Sequence, residues 1–402
     1  MKHNWEYKRL GDLCNISSSR RVLQSDWKES GVPFYRAREI VKLSENGFVN
    51  NELFISENLY DELAKSGIPQ AGDIMLSAVG TLGATYIVKP TDKFYYKDAS
   101  VICLSKISDL QPKFLCYLFD SNIILHQIDR QAKGVTVGTI TISNASKFKV
   151  PVPDYKVQER IVAELDKINE TIEDCRELLR NLDALAQSLF YDTFGDPIKN
   201  PKKWPIKQLK ALSSLITNGT TPKGGQAVYV DSGITFFRSQ NVWRNRLVMD
   251  DVAYLDEATN ATMRGSMLHH NDILITKTGR INTENSSLGR SALFTGEDNT
   301  ANINGHVYLV RLERTINPRF VLAILLTDSY RDLIRRVCVG AIDKRQLNLS
   351  HIEQFPIILP PLSLQEQFAA RIEQIEVQKK AVEQTIAELQ TLLDSRMDYW
   401  FN

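Results

Sequence analysis

Cysteine is scarce in this chain of 402 residues and is never paired in sequence. The five copies lie at Cys14, Cys103, Cys116, Cys175 and Cys338. Because none forms a C-x-x-C pair, the spacing favours neither a zinc site nor a disulfide framework. Long apolar runs are also missing: no stretch of 18 apolar residues occurs, and the first residues lack the apolar segment of a signal peptide. We therefore expect a protein of the reducing cytoplasm with no membrane span.

Signatures of catalysis are missing too. The segment GTTPKGG at 219–225 lacks the G-K-[ST] ending of a phosphate-binding loop, and neither G-x-S-x-G nor H-E-x-x-H occurs. The only adjacent histidines, His269 and His270, are better explained by a surface turn than by a metal site. The sequence thus offers no catalytic constellation. We predict that the chain is not itself an enzyme and holds no cofactor of its own.

What the sequence does contain is a repeat. VPVPDYKVQERI at 150–161 and IILPPLSLQEQF at 357–368 make the same passage from a β-like apolar run, through proline, to a helix that opens with Gln-Glu. Around this point the two halves align at a constant offset of 207 residues. The matched pairs are Phe148 with Phe355, Pro153 with Pro360, Gln158 with Gln365, and Glu159 with Glu366. Self-similarity of this kind indicates a duplicated structural unit.

Further matches occur upstream in the same order. GVPFYRAREI at 31–40 answers GITFFRSQNV at 233–242, and GDIMLSAVGTLG at 72–83 answers NDILITKTGRIN at 271–282. Within these, TFFRSQNV at 235–242 and DILITKT at 272–278 are typical of short strands. Elsewhere, PKFLCYLFDSNIILHQI at 112–128 has helical spacing. Each copy is thus predicted to be a mixed α/β (α+β) module followed by one long helix. The predicted domains are a first module at 1–154, a central helix at 155–194, a second module at 195–362 and a C-terminal helix at 363–402.

Charge follows these domains, although the net charge of the whole chain is only +1. The first module has 19 basic and 17 acidic residues, and the second has 21 and 15. The two helices are acidic, with 5 basic against 9 acidic residues in the first and 4 against 7 in the second. Long exposed helices are often acidic. A sharper interpretation is that only the two modules face a polyanion.

Both long helices carry an apolar seam of alternating four- and three-residue steps, the heptad pattern of a coiled coil. In the first helix the seam is Ile161, Leu165, Ile168, Ile172, Cys175, Leu179, Leu182, Ala186 and Leu189. In the second it is Phe368, Ile372, Ile375, Lys379, Val382, Ile386, Leu389, Leu393, Arg396 and Trp400, with Lys379 and Arg396 as polar interruptions.

Two helices of equal length in one chain are predicted to pair with each other. The heptads do not decide between a parallel and an antiparallel pair, and each helix could instead pack on its own module. At the helix starts, SLQE at 363–366 predicts a capping box with Ser363 as N-cap, and Asp154 is the expected cap of the first helix. Gly195 is expected just after the first helix ends.

With the repeat, the heptads and FGDPIKNPKKW at 194–204, the chain resembles the specificity subunit of Type I restriction–modification enzymes over its whole length. The resemblance implies two target recognition domains that each bind one half of a split site in double-stranded DNA. It also implies that the helices form an antiparallel coiled coil, on which two modification (methyltransferase) subunits assemble. S-adenosylmethionine for adenine methylation, and ATP and Mg²⁺ for cleavage by restriction subunits, would be held by those partners. The motif DYKVQER departs from PLSLQEQ in lacking the second proline and the serine.

Under this resemblance the candidate DNA contacts are polar side chains that follow strand-like runs or sit beside glycines in loops. They are Arg36, Arg38, Ser77, Thr81, Lys133, Arg238, Gln240, Asn241, Lys277, Arg280, Asn282, Lys344 and Arg345. Each could instead be a solvated surface residue or a phosphate contact, which positions the protein without specifying a base. Two other functions stay open: a specificity subunit for an enzyme that cuts on both sides of its site with a fused methyltransferase–nuclease, and a DNA-binding protein with no enzyme partner.

Overall fold

The computed structural model describes residues 5–132, 138–281, 283, 285–341 and 344–401. The chain divides into two compact units, Met1–Arg176 with Glu383–Asn402, and Glu177–Val382. Both are mixed α/β, as the sequence predicts, and each takes part of both long helices.

Short strands and helices make up the first unit before its long helix begins. In chain order they are β1 Glu6–Arg9, α1 Leu10–Leu13, β2 Asn15–Ser17, β3 Val32–Tyr35, α2 Ala37–Asn46, β4 Phe54–Ile55, α3 Glu57–Ala64, β5 Ile74–Ser77, β6 Thr85–Ile87, β7 Tyr95–Tyr96, β8 Val101–Ser105, α4 Pro112–Asp120, α5 Asn122–Ala132, α6 Ile142–Ala145, β9 Lys149–Val152 and α7 Tyr155–Phe194. The strands form sheets ordered β2-β8-β5-β6, β4-β3-β7 and β1-β9. Strand β5 is buried at all four positions, because the sheet is covered on both faces.

The second unit continues from the end of α7. Its elements are β10 Ile206–Gln208, β11 Ser213–Asn218, β12 Ile234–Phe237, β13 Val242–Trp243, β14 Arg246–Leu247, β15 Ala253–Leu255, α8 Glu257–Ala261, β16 Ile273–Thr276, β17 Thr278–Gly279, β18 Ser291–Leu293, β19 Ala301–Ile303, β20 Val307–Leu312, α9 Pro318–Leu326, α10 Asp328–Val337, β21 Val339–Ala341, β22 Lys344–Gln346, α11 Leu349–Glu353, β23 Pro356–Ile358 and α12 Leu362–Phe401. Its sheets are ordered β11-β20-β16-β18, β15-β12-β19, β10-β23, β17-β22-β21 and β13-β14.

Three of these sheets have the same pattern in both units. The four-stranded sheets are antiparallel throughout, whereas β3 pairs parallel with β7 just as β12 pairs parallel with β19. The units differ after β3 and β12. The first unit continues into α2, while the second forms the β13–β14 hairpin.

One local prediction holds with an interruption, and one is wrong. The segment with helical spacing at 112–128 is helical, but it is divided at Ser121 into α4 and α5, and the Ser121 hydroxyl donates to the Leu118 carbonyl. Hydroxyl side chains compete for backbone groups in this way and end helices. The second long helix begins at Leu362, and the carbonyl of Pro361 accepts from the amides of Leu364 and Gln365. Ser363 therefore lies inside the first turn and is not the N-cap.

The first long helix has the predicted limits. It begins directly after Asp154, whose carbonyl accepts from the Val157 and Gln158 amides. It ends at Phe194, and Gly195 follows with φ +78°, a left-handed conformation that glycine adopts without steric cost.

A buried glutamine fastens each long helix to its own module. Gln158 is fully buried, and its side chain accepts from the Gln111 amide (2.8 Å) while donating to the Asp109 and Pro153 carbonyls (2.7 and 2.9 Å). We call this residue and its counterpart Gln365 the glutamine clamps. They explain why Gln recurs at the start of both helices.

Gln365 repeats the arrangement in the second unit. Its side chain accepts from the Asn317 amide (3.0 Å) and donates to the Pro360 carbonyl (2.8 Å). Gln111 and Asn317 are the residues that precede α4 and α9, so each clamp joins two helix starts.

Inside the first unit, the end of α12 packs on the start of α7. Glu164 accepts from the side chains of Arg396 and Trp400, and the Arg160 guanidinium lies 5.1 Å from the Trp400 ring centroid. Earlier residues of α7 thus contact later residues of α12, so the two segments run antiparallel. The seam residues Ile161 and Leu165 are fully buried in this contact.

The second unit holds the other halves of these helices. Lys379 pairs with Asp183, and the Phe368 ring lies 5.7 and 5.2 Å from the rings of Phe190 and Phe194. These contacts also run antiparallel. Among the predicted seam residues of both helices, none is exposed; they are buried or half-buried throughout.

Candidate nucleic-acid interface

The ends of four strands meet at one edge of the second unit. Because β11 and β16 both run antiparallel to β20, and β12 runs parallel to β19, their carboxyl ends share an edge. The Asn304 amide donates to the Phe237 carbonyl (3.0 Å), and the Lys277 amide donates to the His306 carbonyl (2.8 Å). The four segments that follow these strand ends, which we call the second rim, are 219–221, 238–241, 277–280 and 304–306.

Close backbone contact holds the first segment of this rim. The Gly219 amide donates to the Val307 carbonyl (3.1 Å), and a Cβ on Gly219 would lie 1.9 Å from the Ile303 carbonyl oxygen. Only glycine fits there, because the backbone of this segment lies directly against the carbonyl groups of Ile303 and Asn304. The adjacent side chains of Thr220 and Thr221 are exposed.

The first unit builds the same edge with the same backbone bonds. The Lys97 amide donates to the Tyr35 carbonyl (2.8 Å), and the Ala78 amide donates to the Ser100 carbonyl (2.9 Å). A further bond joins the Ser18 hydroxyl to the amide of Ala99 (3.2 Å). The segments of this first rim are 18–21, 36–38, 78–81 and 97–100.

Other predicted loop residues also meet at these edges. In the second unit, β22 lies between β17 and β21, which brings Lys344 and Arg345 beside the segment that ends in Arg280. Lys344 and Arg280 are exposed, and the Lys277 ammonium lies 5.8 Å from the Tyr308 ring centroid. Lys133 and Asn282 lie outside the described residues.

Arginines of the first rim are paired with carboxylates of their own module. Arg36 and Arg38 both bond to Glu39, and Arg38 also pairs with Glu52. Burial alone would raise the pKa of Glu39, but the hydrogen bonds from the two arginines outweigh it, and the pKa lies below its ordinary value. Glu39 is therefore a charged anchor that fixes both guanidinium groups. Thr81, on the neighbouring segment, is exposed.

Arg238 is held in a comparable way in the second rim. Its guanidinium lies 3.1 Å from the Asp251 carboxylate and 5.8 Å from the Tyr229 ring centroid, while its Nε is buried without a partner among the described residues. Gln240 also donates to Asp251 (2.7 Å). The bonds from Gln240 and then Arg238 lower the pKa of Asp251.

Two predicted residues use their polar atoms inside the module. The Ser77 hydroxyl is fully buried, donates to the Thr81 carbonyl (2.6 Å) and accepts from the Ala84 amide (2.9 Å). Asn241 is 1% exposed and bonds to the backbone of Arg238, Val248 and Asp251. Both residues shape a loop.

Some rim residues are absent from the candidates that the sequence predicts. The missed residues with exposed side chains are Arg20, Arg21, Thr220, Thr221 and His306. The first four follow equivalent strands, in NISSSRR at 15–21 and LITNGTT at 215–221, so the repeat could have identified them. His306 arrives from a distant part of the chain through parallel pairing, which no local pattern reveals.

Among the described residues, no group of three or more His, Cys, Asp or Glu is placed to hold a metal ion. None of the described helices combines the length and apolar character needed to cross a bilayer. The candidate site therefore consists of polar sheet edges, one in each unit.

Comparison with known proteins finds similarity to one family over part of the chain. Residues 2–181 match the model of the Type I restriction modification DNA specificity domain. Over 161 residues the chain is 29% identical to a protein of Haemophilus influenzae named as a type I restriction enzyme specificity subunit. The aligned region covers 39% of this chain and 38% of that relative. The match therefore spans less than two thirds of the relative's length.

Solved structures share the fold over nearly the whole chain. The S subunit of a Type I restriction–modification system from M. genitalium has a TM-score of 0.55 at 14% identity, over 98% of this chain and 95% of that one. A second structure, from a study of complex assembly in the type I R-M system, has a TM-score of 0.56 at 19% identity, over 99% and 97%. Residues 2–181 are thus similar to the Type I restriction modification DNA specificity domain, and the chain as a whole has the fold of these two solved structures.

Proposed function

We propose that this chain is the sequence-specific DNA-binding subunit of a Type I restriction–modification complex and recognises a split site with its two modules. The observation that carries the proposal is the repeated rim, built by equivalent backbone bonds in both units. Sheet edges with exposed Arg, Lys, Thr and Gln side chains suit contact with base edges and phosphates.

The proposed organisation keeps the domains 1–154, 155–194, 195–362 and 363–402, related by tandem duplication. The long helices would form one antiparallel coiled coil, supported by antiparallel contacts in each unit. Two modification subunits would assemble on it in the cytoplasm, joined by restriction subunits for cleavage. S-adenosylmethionine, ATP and Mg²⁺ belong to those partners in this proposal, and this chain is non-catalytic.

Exchange of one module tests the proposal. Residues 1–154 are replaced by the equivalent module of a relative with a different target, and the DNA of the host is sequenced with detection of methylated adenine. We expect one half of the methylated site to change and the other half and the spacing to persist, because each unit has its own core and its own rim. A change in both halves would contradict independent recognition. Loss of all methylation, with the complex still assembled, would also count against it.

A single exposed rim residue provides a finer test. Arg280→Ala should relax recognition at one position of the half-site bound by the second module, with a loss of about 1–3 kcal/mol of discrimination. Arg314→Ala is the matched control, since Arg314 is also exposed but follows β20 at the far end of the same sheet. The measurement is binding of the assembled methyltransferase to duplexes with single base changes. Equal effects of the two variants would remove Arg280 from the proposed contacts.

A further inference from the structure

A cluster of arginines surrounds one tryptophan beside the second rim. The Arg290 guanidinium lies 3.9 Å from the Trp243 ring centroid, and that of Arg246 lies 5.8 Å from it. The Trp243 indole donates to the Gln240 carbonyl (3.0 Å), which fixes the ring next to a rim segment. Arg290 donates to the Ser286 carbonyl (3.1 Å), so both stacked groups are held by backbone.

Helix α10 adds positive charge to this cluster. The Arg290 loop packs on the helix, because a Cβ on Gly289 would lie 2.9 Å from side-chain atoms of Ile334. Burial and then repulsion by Arg244 lower the pKa of Arg290. The same two causes, followed by Arg335, lower the pKa of Arg331 on the helix. Arg244 therefore lies within electrostatic reach of two other guanidinium groups that its charge disfavours.

Several nearby carboxylates have other partners, although Asp328 and Asp332 also act on Arg331, where they oppose the decrease in its pKa. Asp332 pairs with Arg335 (3.3 Å), and Glu376 pairs with Arg319 while accepting from Asn245 (3.2 Å). Arg244 itself is exposed and makes no hydrogen bond or ion pair with the parts of the chain that the structure describes. The charge of Arg244 is therefore left for an external anion.

We propose that Trp243, Arg244 and Arg290 form a landing surface for backbone phosphates of the duplex beside the bases that the second rim contacts. The proposal rests on the proposed function and adds a contact that sets affinity without specifying sequence. Continuity with the rim favours DNA as the partner, because the Val248 amide and the Trp243 indole bond to the carbonyls of Asn241 and Gln240. A duplex on the rim would extend over this hairpin.

Among the described residues of the first unit, no hairpin takes this place. At the same place after β3 that unit forms α2, where Arg36 and Arg38 are already paired with Glu39. We therefore expect sequence-independent contact with phosphates to be stronger at the second module than at the first.

Arg244→Ala tests the inference with the full chain and an arbitrary duplex of about 30 base pairs, titrated at several salt concentrations. Phosphate contacts release counterions, so we expect the affinity to fall about 3–10-fold at about 0.1 M salt and the slope of log K against log salt to decrease by about one. Arg314→Ala, another exposed arginine of this unit, should leave the slope unchanged. Because Arg244 is exposed, its variant should melt at the same temperature as the unaltered chain.

Three other results of this experiment can be distinguished from one another. A slope for Arg244→Ala that equals that of Arg314→Ala would overturn the landing surface while leaving the proposed function intact. Loss of bound modification subunits with an unchanged slope would assign the surface to a protein partner, which also overturns it. Salt-dependent binding that Arg244→Ala weakens, but with no target preference in the unaltered chain, would support the surface and reject the proposed function.

Discussion

A chain that ends at Gly195 should be a dimer of two identical copies. In the intact chain, Leu393, Met397, Trp400 and Phe401 of the C-terminal helix pack on the core that contains Ile161 and Leu165. Without residues 196–402 this apolar seam is exposed to water, at a cost of about 25 cal/mol per Å². The same helix of a second copy could bury this seam again.

The repeat indicates that the substitute would fit. At the offset of 207, Phe194 of a second copy takes the place of Phe401, and Ile161 takes that of Phe368. The polar interruptions Lys379 and Arg396 correspond to Ile172 and Leu189, so the new seam is apolar from Ile161 to Leu189, while Thr193 takes the place of Trp400. Antiparallel pairing of two such helices would relate the copies by two-fold symmetry.

Analytical ultracentrifugation measures the outcome directly. We expect twice the mass of one truncated chain, and recognition of a palindromic split site once modification subunits are supplied. Ile172→Asp is the control, because it places a charge at a position only 3% exposed in the intact protein and should yield a folded monomer. A truncated chain that stays monomeric without this substitution would indicate that the helix packs on its own module instead.

Loss of a glutamine clamp should be among the most destabilising single changes in the protein. Gln365→Leu keeps the bulk of the side chain but leaves the Asn317 amide and the Pro360 carbonyl buried without their partner. Each unpaired buried group costs about 1–3 kcal/mol. We expect a decrease of roughly 2–4 kcal/mol in the unfolding free energy of the second unit. Gln158→Leu should cost more, since Gln158 makes three such bonds.

Hydrogen exchange at the amides of α9 and the first turns of α12 reports this locally, and denaturant unfolding reports it globally. Gln374→Leu is the matched control, because Gln374 lies on the same helix but is exposed. Its effect should stay within about 0.5 kcal/mol. If Gln365→Leu behaved like this control, the clamp would make no measurable contribution to the free energy of unfolding.

The clamps show how far local sequence patterns reach. The repeat marked Gln158 and Gln365 as equivalent, but the capping-box pattern drew attention to Ser363, a residue that lies within the first turn. Pattern rules describe a helix start in isolation, whereas here the partner of the glutamine is another helix start about fifty residues away. The heptads were informative because a seam depends only on spacing along one helix.

Candidate DNA contacts were harder to choose for the same reason. Residue type and position after a strand selected Ser77 and Asn241 together with Gln240 and Arg280, yet the first two are buried and the others exposed. Whether a short polar side chain turns into its own loop depends on which amides the loop leaves unpaired. The rim also gathers segments that are distant in sequence, such as 304–306, through the parallel pairing of β12 with β19.

The two polar interruptions of the helix seam bear on how such genes can recombine. Lys379 lies against Asp183 and Arg396 against Glu164, so each unit contains one ion pair across the helices. A shift of one heptad would place Lys379 against Arg176 or Phe190, which exchanges an opposite charge for a like charge or an aromatic ring. A crossover that brings in one long helix without its partner would therefore inherit mismatched seam positions. We therefore expect viable recombinants to exchange modules at the helix boundaries. The two segments that encode the helices should be inherited together.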